Sequence, residues 1–229
     1  MLKRNFFLKL VVNLNCELFA IFRCYQELLY PLLFSILAIV LFPLSISIDP
    51  VLLKKIAAGI FWIIVLFLIL LMLDQLFRND WKEGDLEQLI LLPKELTMAL
   101  FIKLLVFWLF ISLSLIVVTP ILSLSLFIPV SALKTLYLSI LLGTPSLVFL
   151  GGIARALTLG LRNSGLLIVL IILPFYIPVL IFASSAVSLA SVGLPANGPL
   201  AWLSVLMVLS VSLSPLLINR ILRLGIAFV

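Results

Sequence analysis

The chain has 229 residues, of which 65% are hydrophobic and only 10% charged, with a mean hydropathy of +1.42 and a formal net charge of +6. A water-soluble globular domain is excluded, since such domains are about half apolar and roughly a quarter charged. Histidine-based chemistry is excluded as well, because the chain contains no histidine, the commonest general base, metal ligand and haem axial ligand.

The apolar residues come in runs of about 18 to 22, the length that crosses a ~30 Å hydrocarbon core at ~1.5 Å per residue. The strict two-residue alternation of a transmembrane β-barrel is absent. The expected fold is therefore an all-α polytopic membrane protein forming one transmembrane domain. Residues 1–27 carry too much charge to span, with Lys3, Arg4, Lys9, Glu17, Arg23 and Glu27 spread through them. Their apolar residues Phe7, Leu10, Val11, Leu14, Leu18, Ile21, Phe22 and Tyr25 recur on one helical face. This pattern predicts an amphipathic helix lying in the membrane interface, in contact with lipid. Cys16 and Cys24 are spaced for neither a Cys-x-x-Cys nor a zinc site and read as reduced thiols.

Six spans are expected, at 28–46, 56–73, 98–118, 133–150, 166–182 and 200–218. Gly143-Thr144-Pro145 in the fourth, and Pro174 and Pro178 in the fifth, should bend or break their helices, because each proline removes a backbone donor. These five residues are candidates for a hinge or for the lining of a path. The plainer reading is a static kink in which Thr144 satisfies the freed carbonyls. Tyr176, between the two prolines, is a candidate ligand contact, with an anchor at an interface as the plainer reading.

With the N-terminus inside, twelve Lys and Arg fall in cytoplasmic segments and only Lys54, Lys55 and Lys134 fall outside. That satisfies the positive-inside rule and places both termini in the cytoplasm. It also accounts for the net positive charge without nucleic acid. The external loops, Ser47–Lys55, Pro120–Ala132 and Ala186–Pro199, are short and nearly uncharged.

The charge concentrates in one island. Nine of the 24 charged residues lie within residues 74–95. Leu86, Leu89 and Ile90 share a face at helical spacing, the acidic run from Asp80 to Asp85 suits a helix N-terminus, Gly84 permits a turn, and Pro93 stops the element. A short amphipathic helix across the cytoplasmic mouth of the second and third spans follows, placed to take force from a partner. The partner-binding candidates are Arg78, Asp80, Gly84, Asp85, Leu86, Glu87, Gln88 and Leu89. A solvated loop of alternating charge is the plain alternative. Asp74 and Arg78, four apart, are expected to pair locally. A second cytoplasmic segment, from Gly151 to Gly165, adds Arg155 and Arg162 as docking candidates, or simply as charges that hold the topology.

Several of these stretches resemble a known family. They are Leu41-Phe42-Pro43-Leu44-Ser45-Ile46, Leu76-Phe77-Arg78-Asn79-Asp80, Gly84-Asp85-Leu86-Glu87-Gln88-Leu89, Leu142-Gly143-Thr144-Pro145, Leu157-Thr158-Leu159-Gly160-Leu161-Arg162, and Leu173-Pro174 through Pro178 to Phe182. In that order they are similar to haem exporter protein B (CcmB), the membrane subunit of the cytochrome c maturation ABC transporter. The resemblance implies an ABC-2-type permease fold with an N-terminal elbow helix and a coupling helix between the second and third spans. It also implies a separate ATPase subunit, CcmA, and the haem-handling subunits CcmC and CcmD. ATP hydrolysis in that complex drives release of the haem-loaded chaperone CcmE, which the B subunit serves indirectly.

No Walker A sequence is present. The nearest glycine pair, Gly151-Gly152, lacks the Gly-Lys-Ser/Thr that would cradle phosphates. ATP-Mg is thus expected on a partner chain, with no catalytic residue, metal or cofactor held by this one. Haem, if handled by the complex, would find only Met, Cys or Tyr as axial ligands here, and Met72, Met98 and Met207 read as packing residues. Two copies are expected to pair as permease halves, with Ser112, Ser114, Ser123 and Ser125 easing helix approach. Two other functions stay open. One is an integral membrane enzyme on a lipid-linked substrate, built on Asp80, Glu83, Asp85 and Glu87. The other is a secondary carrier, disfavoured because no span holds a mid-membrane charge.

Overall fold

The computed structural model describes residues 25–45, 50–77, 96–159 and 164–226. These fold into six helices: α1 (Tyr25–Ser45), α2 (Pro50–Leu73), α3 (Leu96–Ser125), α4 (Val130–Leu157), α5 (Ser164–Ser191) and α6 (Asn197–Ile226). The architecture is all-helical, as expected. The apolar stretches Lys54–Leu73, Leu96–Ser125, Val130–Leu157, Leu167–Ser191 and Asn197–Leu224 are each long and apolar enough to cross a bilayer. The apolar part of α1, Leu29–Phe42, is shorter. The predicted interfacial helix over 1–27 lies outside the described residues except for its last three, which open α1.

The helices run further than hydropathy alone suggested. α3 continues to Ser125 and α4 starts at Val130; α5 continues to Ser191 and α6 starts at Asn197. Two of the expected external loops therefore shrink to 126–129 and 192–196. Both turns follow one design. After α3, the Ile128 N–H donates to the Ser123 carbonyl (2.9 Å), and after α5 the Leu194 N–H donates to the Leu189 carbonyl (3.0 Å). Such caps place one residue in the left-handed region. It is Gly193 (φ 82°) in one turn and, less comfortably, Phe127 (φ 53°) in the other.

The prolines break none of these helices. Pro120 lies inside α3, Pro145 inside α4, Pro174 and Pro178 inside α5, and Pro215 inside α6. In three cases a hydroxyl residue immediately precedes the proline and bonds back one turn. Thr119 Oγ1 donates to the Leu115 carbonyl (2.6 Å), Thr144 Oγ1 to Ile140 (2.7 Å) and Ser214 Oγ to Ser210 (2.6 Å). The expectation that Thr144 satisfies the freed carbonyl needs correction. Pro145 deprives Leu141, whereas a threonine rotamer on a helix reaches its own i−4 carbonyl, that of Ile140. Packing on both sides holds the helix together across the gap.

α4 is the centre of the bundle and packs most extensively on α6 and α5. Every residue from Gly143 to Phe149 is buried. Outward faces stay apolar, as lipid requires: Leu109, Leu113, Val117, Ile121 and Leu124 form an exposed stripe along α3. The serines assigned to copy pairing do not follow that stripe. Ser112 and Ser123 are buried in the chain's own core, and all four donate to carbonyls of their own helix.

Candidate functional site

Two polar layers interrupt this apolar bundle. The first lies in mid-bundle on α4. Gly143 sits beneath the Trp62 ring of α2, so close that a Cβ there would lie 2.6 Å from Trp62 Cη2. The next residue, Thr144, accepts a hydrogen bond from the Trp108 indole of α3 at 3.0 Å. One turn on, the Leu147 carbonyl accepts from the Tyr176 hydroxyl of α5 at 2.6 Å. Gly151 makes room for that hydroxyl, since a Cβ there would meet Tyr176 Oη and Leu73 Cδ1, each at 2.7 Å. Tyr176 is fully buried, not an interfacial anchor. A phenol in such a place must find an acceptor, and the next helix supplies it. Gly143 and Thr144 thus form a tight joint between α2, α3 and α4, with Pro145 buried beside them. Pro174 is exposed and Pro178 half-buried on α5, so neither joins this layer.

The second layer closes the end of the bundle where α2, α4 and α6 finish and α3 begins. Arg155, in the last turn of α4, is 6% exposed and forms an ion pair with Asp74 just beyond α2, at 3.5 Å. Its position also sets a cation at a helix C-terminus, where the dipole favours it. Thr158 caps α4 through its hydroxyl, which donates to the carbonyls of Ala154 (3.0 Å) and Arg155 (3.2 Å). Across the layer, Asn219 of α6 donates to Thr97 Oγ1 of α3 at 2.6 Å, and accepts from Arg223 Nε at 2.8 Å. Asp74 was expected to pair with Arg78. Its described partner is Arg155, brought in by the packing of α4 against α2. Arg155 accordingly points into the fold and presents little surface to an outside chain.

The other partner-binding candidates, Arg78, Asp80, Gly84, Asp85, Leu86, Glu87, Gln88, Leu89 and Arg162, lie outside the described residues, as does Glu83. Sequence reasoning missed Thr97, Asn219, Trp62 and Trp108. An asparagine inside an apolar span, beside two arginines near its end, was the one legible signal. A small apolar cavity between α1, α2 and α3, lined among others by Leu32, Ile39, Leu68 and Leu115, has room for about 10 Å³, a single water at most.

Long apolar helices, lipid-ready outer faces and polar contacts confined to helix joints and one bundle end define an α-helical integral membrane protein of the multi-pass type. The sequence matches the family described as "CcmB protein" over residues 8–225. The chain belongs to that family. It is 41% identical over 206 residues to heme exporter protein B of Pseudomonas aeruginosa, covering 90% of this chain and 92% of the relative. It is 45% identical over 210 residues to heme exporter protein B of Haemophilus influenzae (92% and 95% covered). To the Escherichia coli K12 protein of the same name it is 42% identical over 210 residues (92% and 96%). The resemblance read from the sequence motifs therefore names the right family.

Proposed function

We propose that this chain is the membrane component of a haem-export ABC transporter serving cytochrome c biogenesis, in the bacterial inner membrane, with both termini in the cytoplasm. The observation that carries this reading is the family match over residues 8–225, together with relatives named heme exporter protein B whose matches cover 90% and 92% of this chain. In this reading the chain is non-catalytic. A separate ATPase subunit, CcmA, binds ATP-Mg and docks on residues 78–95. Two copies of the chain pair as permease halves, and the complex includes CcmC and CcmD. Hydrolysis is coupled to haem delivery or to release of the haem-loaded chaperone CcmE, with haem as cargo and not as a resident cofactor. The basic count on the expected cytoplasmic side and the absence of a Walker A sequence support this arrangement.

The test is a tagged pull-down from mild-detergent membranes, using the intact chain beside a Gly84→Pro, Glu87→Lys double variant. An ATPase that comes down with the intact chain and is lost from the variant supports the reading, and haem-handling subunits in the same fraction assign the pathway. Equal recovery with both chains refutes the role of residues 78–95. No ATPase with either refutes the transporter reading.

A further inference from the structure

One outward face of the bundle departs from the apolar rule. α4 is wholly buried from Gly143 to Phe149, yet its outer half turns one face out of the fold. Val130 (82% exposed), Lys134, Tyr137 and Leu141 (44%) follow at steps of four, three and four residues, with Leu138 (41%) beside them, so they share that face. Three polar groups on it go unanswered. Lys134 is exposed and Tyr137 half-buried, and neither side chain has a partner among the described residues. The Leu141 carbonyl has lost its helical donor to Pro145, and the Thr144 hydroxyl bonds back to Ile140 instead. Leu141 lies ~10 Å deeper along the helix than Lys134. With Lys134 at headgroup level, that carbonyl stands at hydrocarbon depth, where acyl chains offer no hydrogen bond. This face is built for something other than lipid.

Its chemistry specifies the occupant. Val130, Leu138 and Leu141 form an apolar bed. Lys134 puts a cation at the outer end, where no described acidic side chain neutralises it; Asp74 sits at the other end of the bundle. Between them Tyr137 offers a phenol oxygen, a ligand type that holds haem iron. The fully buried phenol, Tyr176, is already committed to the Leu147 carbonyl. Inward, the face ends where the Trp108 indole of α3 bonds Thr144, so the α3–α4 joint closes the bed at its deep end. A flat apolar ring that carries carboxylates and a metal matches bed, cation and phenol together. We propose that this outer face of α4 binds haem, with Lys134 holding a propionate and Tyr137 ligating the iron. The proposal rests on the reading of haem as the cargo.

The full chain, reconstituted in phosphatidylcholine nanodiscs, is titrated with ferric haem and followed by absorption and resonance Raman spectra. Lys134→Gln should bind about tenfold more weakly, the size of one lost charge-assisted hydrogen bond. Tyr137→Phe should lose the tyrosinate–iron signature. Tyr30→Phe, which alters a 70% exposed phenol on α1, should change neither. Haem dimethyl ester, whose carboxylates are blocked, should bind the parent as weakly as haem binds Lys134→Gln, a comparison that needs no variant to fold. Equal binding by the parent, Lys134→Gln and Tyr137→Phe means partition of haem into the disc only and overturns the site. A Raman spectrum unchanged in Tyr137→Phe overturns the ligand assignment. In discs that also contain phosphatidylglycerol, Lys134-dependent retention of that lipid in place of haem makes a lipid headgroup the occupant and overturns the proposal. The ATPase pull-down answers separately. Haem held through Lys134 and Tyr137 with no ATPase recovered keeps the site and refutes the transporter reading, whereas an ATPase recovered with a chain that binds no haem does the reverse.

Discussion

Replacing Gly143 with alanine tests the mid-bundle joint most directly. The added methyl would lie 2.6 Å from Trp62 Cη2 and 3.1 Å from Cζ3, whereas carbon atoms settle at about 3.5–4.0 Å, so a displacement of about 1 Å is required. Trp62 is rigid and fully buried, and its indole N–H has no acceptor among the described residues. Moving the ring thus costs packing alone, with no hydrogen bond to lose. Overpacking of this kind costs about 1–3 kcal/mol, and the better helix propensity of alanine returns up to about 1 kcal/mol. The expected net effect is a loss of ~1–2 kcal/mol. Gly59, in α2, is the matched control, because nothing lies within 4 Å of a Cβ there. Gly59→Ala should keep only the propensity term and be neutral or stabilising by up to ~1 kcal/mol. Thermal unfolding in detergent micelles, followed by tryptophan fluorescence, measures both. Trp62→Leu combined with Gly143→Ala should recover part of the loss by making room. A Gly143→Ala protein that melts at or above the parent, or that shifts by the same amount as Gly59→Ala, refutes the joint.

Three further outcomes follow from single contacts. Tyr176→Phe removes the hydroxyl that reaches Leu147 and should cost ~0.6–1.7 kcal/mol in a chemical unfolding titration, the range for hydrogen bonds between membrane helices. Phe127→Gly relieves a left-handed residue that is not glycine and should stabilise by ~1 kcal/mol, whereas Gly193→Ala should destabilise by a similar amount; opposite shifts in melting temperature check the pair. Asp74→Asn removes the carboxylate that pairs with Arg155. Because the Asp74 side chain is 43% exposed, the loss should be ~1–2 kcal/mol, below that of a fully buried pair, and Asp74→Glu should restore most of it in the same titration.

The amino-acid sequence by itself determined the class of the molecule. Composition and the length of the apolar runs are properties of single segments, and a bilayer sorts segments by those properties one at a time. Five of the six helices among the described residues, those long and apolar enough to span, were legible for that reason, and so was the family, whose motifs are contiguous words such as Leu142-Gly143-Thr144-Pro145. Helix ends were less legible, because Ser125 and Ser191 lie past the apolar windows yet are carried onward by turns that complete their hydrogen bonds. What only the tertiary structure decided is which residues meet. Thr97 and Asn219 are 122 positions apart, Trp108 and Thr144 are 36 apart, and Tyr176 reaches a carbonyl 29 positions away. Local spacing paired Asp74 with Arg78, since charges four apart on a helix are neighbours. Arg78 lies outside the described residues, and the fold gives Asp74 a partner that spacing did not suggest, the buried Arg155. A charge that packing has cut off from water makes a far stronger claim on a counter-ion than one that solvent can satisfy, and burial is set by the helices that surround a residue, not by its neighbours in sequence.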